Sequence, residues 1–257
     1  MSRRALLAVG ILLSIALIGL SVGALTGEGT ANNGKTGRED RGTNPQNDNA
    51  PVSHRSAPTL KVVIDPGHGG KDRGATGASG SLEKDFTLKL ARKVEELAEQ
   101  DPRIQVYMTR TDDSFISSVD RNRPNFANEL GADLYISIHG NTFEDPGVSG
   151  TETYYYDQNS RALADIMQRQ VVQASGFRDR GVKRQDFFVL TDTEMPAVLI
   201  EAGYVTNPSE EKAMLSEEVQ DRMAASIVRG IKEYLNLNDK ETSMAQGDTA
   251  GESLGNL

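Results

Sequence analysis

An α/β domain, a single twisted and mostly parallel sheet with helices on both faces, is the fold class predicted for residues 59–237, and two observations predict it. Apolar periodicity along this stretch switches repeatedly between two and about 3.6, the signature of strands alternating with helices. The flanks supply the second observation. Residues 26–58 and 238–257 consist largely of small and polar residues and hold few large apolar ones, so they cannot bury enough surface to offset ordering entropy. They read as a flexible tether and a disordered tail, and they leave one core between them.

Each element has its own signal. Residues 61–65, KVVID, form a short buried strand. Phe86, Leu90, Val94 and Leu97 share one face of a helix that stops before Asp101-Pro102. Residues 104–109 are the next strand; Val119, Phe126 and Leu130 mark a helix ending at Gly131; residues 134–138, LYISI, are again a strand. The run TETYYY after Gly150 reads as a strand, and Leu163, Met167, Val171 and Ala174 stripe a helix closed by Gly176. Residues 187–190 and 197–200 are read as strands, and Val219, Met223, Ile227, Ile231 and Leu235 stripe the last helix.

Composition narrows the function. A net charge of -9 argues against nucleic acid as a partner, because neutralising phosphate needs clustered Lys and Arg. Cysteine is absent, which removes disulfides, thiolate nucleophiles and thiolate metal sites; any metal must sit on His and carboxylates. Arg3 and Arg4 precede an uncharged apolar run, residues 5–25, with the form of an export signal. Its length reaches the roughly 20 residues that span a bilayer. A membrane anchor is therefore favoured over a cleaved signal, although Val22-Gly23-Ala24 offers a cleavage site. The domain is expected to work outside the cytoplasm, as a monomer.

Two of the three histidines occupy matching places: His68 follows KVVID and His139 follows LYISI. Carboxyl ends of strands in open α/β sheets converge on one crevice, so the two can meet there, and a metal would explain the pairing. A lone histidine at a strand end more often just fills its place; two at matching positions favour the metal. His54 lies in the tether and reads as incidental. A catalytic zinc site uses three protein ligands and keeps the fourth position open, which makes Glu83 in SLEKDF the candidate third ligand. Taken alone, Glu83 is equally explained as an acidic residue favoured near a helix N-terminus. Glu201 closes the apolar strand PAVLI, where ionised carboxylates are seldom buried without a partner, and it is the candidate proton carrier. The string Gly70-Lys71-Asp72 fails as a phosphate loop, and no G-x-S-x-G serine pattern occurs.

Several ordered blocks, VVIDPGHGGKDRGATG, LEKDF, TRTDD with RNRPNFAN, ADLYISIHGN, GTETYYY and MPAVLIEAGYVTN, resemble the zinc-dependent N-acetylmuramoyl-L-alanine amidases of the amidase 3 type. The resemblance implies Zn2+ held by His68, Glu83 and His139, catalysis by Glu201, and peptidoglycan as substrate, cut between N-acetylmuramic acid and L-alanine. It assigns Arg123 and Asn128 to support of sheet and site. Gly140 stands where the commoner family form has alanine, which should loosen the loop slightly. Some members carry an inserted helix over the zinc after the second histidine. Here GNTFEDPGVSG is too short and too rich in Gly and Pro to supply one, so no obligatory activator is expected. Two rivals remain: a zinc peptidase acting within the stem peptide, which needs the same four residues, and a non-catalytic wall-binding module.

Overall fold

The strand β1 (Leu60–Pro66) carries Val62, Val63 and Ile64 in succession, all fully buried, so both of its faces are covered and it lies inside a sheet. A computed structural model describes residues 59–237; the readings made for 1–25, 26–58 and 238–257 lie outside the described residues. Among the described residues no helix is long and apolar enough to cross a membrane.

On one side β1 pairs in parallel with β2 (Ile104–Met108), and on the other with β3 (Leu134–Asn141). β6 (Ala197–Tyr204) continues in parallel beyond β3. β4 (Thr151–Tyr155) then runs antiparallel to β6, and β5 (Asp179–Arg184) parallel to β4, giving the order β2-β1-β3-β6-β4-β5. The single, mostly parallel sheet is as expected.

Helices cover both faces. α1 (Glu83–Ala98) buries Phe86, Leu90, Ala91 and Val94, the spacing of one helical stripe, and starts with Glu83 and Asp85 in its first turn, where acidic groups favour the helix dipole. α3 (Arg161–Ser175) and α6 (Glu217–Tyr234) join it against Val62, Ile64, Leu134, Ile136, Val198 and Ile200. α3 ends at Gly176 with φ 72°, and Ser216 caps α6 by accepting from the Val219 N–H. A cavity-forming change here, such as Leu90→Ala, costs about 2–5 kcal/mol. The opposite face packs Val63, Tyr135, Tyr154 and Leu199 under two shorter helices, α2 (Asn122–Leu130) and α4 (Phe188–Thr191). Strand alternation puts Asp65, His139, Glu201 and Glu152 on this second face.

Three readings need correction, and two elements were not read from the sequence. Residues 187–190 are not a strand; they run into α4, and a four-residue apolar run cannot by itself distinguish strand from helix. The true strand is β5, whose sequence DRGVKR is charged because it is an edge and half-exposed. Val119 lies before α2 and is 81% exposed, while that helix buries Arg123, Pro124 and Ala127 instead of a hydrophobic stripe. His139 and Glu201 lie within β3 and β6 rather than just past them, because both strands run on for two or three residues. The short helix α5 (Pro208–Met214), capped by Asn207, was not read from the sequence.

Candidate metal centre

Beyond β1 the chain turns on three successive positive φ values, His68 at 62°, Gly69 at 134° and Gly70 at 60°. A non-glycine residue in the left-handed region costs roughly 1–3 kcal/mol and persists only when its surroundings over-determine it. Two buried arginines do so. Arg123 Nη2 donates to the His68 carbonyl at 2.6 Å and Nη1 to that of Pro66 at 2.9 Å, while Arg110 donates from Nε to Pro66 O at 3.1 Å and from Nη2 to Gly67 O at 2.9 Å. The Thr87 hydroxyl adds a second donor to Gly67 O, at 2.8 Å. At Gly67 a Cβ would run into the His139 imidazole, so only glycine lets the two histidines approach.

Glu83 opens α1 and is 5% exposed. The preceding loop folds back over it: Ala75 N–H donates to Glu83 Oε2 at 2.8 Å, and Glu211 holds the loop by accepting from the hydroxyls of Ser79 at 2.8 Å and Ser81 at 2.6 Å. Glu83 Oε1 then lies 3.1 Å from His68 Nε2 and 3.0 Å from His139 Nδ1. The two rings stand edge to face, 4.9 Å apart. His68, Glu83 and His139 thus each offer one ligand atom within 4.8 Å of the others, which is a possible metal-binding triad. The set is two imidazoles and one carboxylate with no lysine or arginine paired to Glu83 among the described residues, so a divalent cation fits its chemistry. Asp72 Oδ1 sits 2.9 Å from His68 Nδ1 and fixes that ring from behind.

The electrostatics follow from this crowding. Burial disfavours the charged form of His68, but hydrogen bonds to Asp72 and Glu83 outweigh it and push the imidazole up to about 10. Burial likewise opposes ionisation of Glu83, and the two histidines overcome it and hold the carboxylate well below its usual range. Glu201 is different. Burial, reinforced by the negative charges of Glu83 and Glu152, drives it well above the usual carboxylate range, and its Oε2 is buried with no hydrogen-bond partner. It is the register partner of His139 on β6, and so belongs to the same crevice.

All four sequence-predicted residues that lie in the described region therefore gather in one place, while His54 lies outside it. Arg123 and Asn128 act as supports: Asn128 Nδ2 donates to Asp192 O at 2.8 Å and its Oδ1 accepts from Glu194 N–H at 3.0 Å, joining α2 to the end of α4. Sequence reasoning missed Asp72, Arg110 and Glu152. Of these only Glu152 left a signal, a lone carboxylate inside an apolar strand run. The loosening expected at Gly140 is not found. It lies in β3, where a Cβ would meet Val205 Cγ1 at 2.8 Å and Met214 Cε at 3.2 Å.

Comparison with known proteins places this geometry. Residues 62–233 match the Amidase 3 family, described as N-acetylmuramoyl-L-alanine amidase. A curated relative from Staphylococcus aureus, "Probable cell wall amidase LytH", is 37% identical over 175 residues, covering 67% of this chain and 57% of its own length. The chain thus spans little more than half of the curated relatives it matches. Among solved structures, the catalytic domain of CwlV, an N-acetylmuramoyl-L-alanine amidase from Bacillus (Paenibacillus) polymyxa, is 42% identical with a TM-score of 0.67 over 69% of this chain and 99% of that one. An N-acetylmuramoyl-L-alanine amidase from Clostridium difficile 630 is 38% identical, with a TM-score of 0.67 over 71% of this chain and 100% of that one.

Proposed function

The chain belongs to the Amidase 3 family of N-acetylmuramoyl-L-alanine amidases, and from that premise we propose that it is a zinc-dependent hydrolase of the amide between N-acetylmuramic acid and L-alanine in peptidoglycan. The convergence of His68, Glu83 and His139, with Glu201 beside His139 in the sheet register, carries the proposal.

His68, Glu83 and His139 would hold the zinc. When bound, the metal supplies Lewis acidity, polarising the amide carbonyl and lowering the pKa of water from about 15.7 toward about 7. Glu201 supplies the proton transfers. Beside His139 in the sheet register, it would as a carboxylate take a proton from the attacking water as oxygen adds to the carbonyl carbon, and deliver that proton to the alanine nitrogen as the carbon–nitrogen bond breaks. Asp72 orients His68, and Arg110 and Arg123 keep the loop that carries it in place.

The connection between β3 and β4, residues 142–150, holds turns and bends but no helix, which supports a crevice that needs no activator to open. The cell-wall amidases the chain resembles support action at the cell wall, outside the cytoplasm, and the apolar run at 5–25 would tether the domain to the membrane. Mass spectrometry of cell wall digested by the zinc-loaded full-length chain tests the reading. Intact stem peptides with a free N-terminal alanine are expected without any added partner. Shortened stem peptides would move the cleavage into the peptide, and no release while zinc is bound would leave only wall binding.

A further inference from the structure

His139, Glu201 and Glu152 form one register row across β3, β6 and β4, and β5 lies one strand further out. The row therefore runs from the metal triad to Arg180 and Lys183 on β5 over three strand spacings, about 15 Å at about 4.8 Å each. Glu152 is 1% exposed. Its carboxylate accepts from Lys183 Nζ at 2.8 Å and from the Tyr204 hydroxyl at 2.9 Å, and Arg180 Nε and the Tyr154 hydroxyl close on it as well. Burial opposes ionisation, but Lys183, Tyr154 and Arg180 together hold the carboxylate down at about 2.

Neutralising Glu152 needs one cation, and two are present. The buried charge is hidden while its partners are not: the Arg180 side chain keeps 28% exposure and that of Lys183 keeps 42%. Arg180 lies over the Tyr204 ring at 5.3 Å, which fixes the plane of its guanidinium. Glu152, Arg180 and Lys183 by themselves carry one net positive charge, and the buried carboxylate of Glu210 is a further acidic group within the field of Arg180. An ammonium has three N–H donors and a guanidinium five, more than Glu152 can occupy.

We infer that Arg180 and Lys183 form a binding subsite for a carboxylate of the stem peptide, with Glu152 as the positioning residue that holds the two cations at the edge of the catalytic face. The inference rests on the amidase reading for the identity of the ligand. An extended peptide advances about 3.3–3.6 Å per residue, so one whose first amide lies at the triad brings its fourth residue to the two cations. The glycan side offers no carboxylate at the scissile bond, since the lactyl carboxyl is the one tied up in the amide. The anion that reaches Arg180 and Lys183 must come from the peptide.

Calorimetric titration of the zinc-loaded full-length chain tests this with two synthetic probes: a four-residue stem peptide beginning with L-alanine with free carboxylates, and its fully amidated form. The free acid is expected to bind about five- to tenfold more tightly. Lys183→Gln and Arg180→Gln should each reduce that preference, and Lys183→Arg should keep it, with melting temperatures recorded to separate binding from folding. Equal affinities of the two peptides for the unmutated chain would overturn the subsite, as would a preference unchanged in both glutamine variants. Release of peptide from cell-wall fragments is followed in parallel. Its failure would sink the amidase reading alone, because the affinity contrast is read from peptide binding without turnover.

Discussion

The Arg123 guanidinium joins the buried carboxylate of Asp65 to the main-chain carbonyl of His68, so one side chain neutralises the end of β1 and braces the strained residue that follows it. Asp65 is fully buried and also accepts from Thr109 at 2.6 Å and from Tyr135 and Ser137 at 2.7 Å. Burial alone would raise its pKa; Arg123 and the three hydroxyls outweigh that and bring it from 3.8 down to about 2.

That depression makes stability depend on pH in a defined window. A carboxylate whose folded value lies below its unfolded value stabilises the fold above the unfolded value and loses that contribution as pH falls through the folded one. The contribution of Asp65 should be complete above pH 4 and fade toward pH 2, amounting to about 2–3 kcal/mol. Urea midpoints measured across this range should fall more steeply for the unmutated chain than for Asp65→Asn. Parallel slopes would remove Asp65 from the acid response. Arg123→Ala should cost about 3–5 kcal/mol at neutral pH, since it strands a buried charge.

The metal triad predicts a second pH effect of opposite sign. His68 in the metal-free protein is raised from 6.5 to about 10, so its stabilising contact with Glu83 and Asp72 is fully present below pH 6.5 and is lost as pH rises through 10. Zinc held at the proposed triad would displace that proton. Calorimetry at pH 8 in buffers of different ionisation enthalpy should show about one proton released per zinc bound. No release would mean that His68 is already neutral. His139→Ala and Glu83→Gln should both lose stoichiometric zinc by elemental analysis, whereas His54→Ala should retain it.

The legible and illegible parts of this chain separate on physical grounds. KVVID, LYISI and PAVLI announced themselves because strands buried on both faces need unbroken apolar runs, and the triad was findable because histidine is scarce and two of three follow such runs. β5 was not, since an edge strand buries little and DRGVKR carries no alternation. Nor was the Arg110 and Arg123 clamp, whose partners are main-chain carbonyls that no side-chain pattern reports. Asp72 was hidden in a loop, where a contact at four residues' separation has no helical spacing to reveal it.

Glu201 holds a buried oxygen without a partner, an arrangement that costs stability and is retained where chemistry uses it. Glu201→Gln keeps the shape and removes the proposed proton carrier. Zinc content and fold should be preserved, the melting temperature should not fall, and turnover should drop by about two to four powers of ten. Near-normal turnover would place the proton transfers on another residue.

Gly140 offers a sharper test of how the site is packed. The family form has alanine here, yet in this chain the space a methyl group needs is filled: Val205 Cγ1 would lie 2.8 Å and Met214 Cε 3.2 Å from the new Cβ. The Gly140 N–H also donates to Glu83 Oε1 at 3.1 Å, so a shift of this strand segment is passed directly to a proposed ligand. Met214 ends in a flexible thioether and can yield, but Val205 is β-branched and buried and has little freedom to move. Gly140→Ala alone should therefore destabilise by about 1–3 kcal/mol through overpacking and should weaken zinc binding with it. Val205→Ala alone should cost a similar amount through the cavity it leaves. The two together should cost less than their sum, because the new methyl occupies the vacated space. Additive losses in melting temperature would show that the contact with Val205 is not what excludes the methyl group.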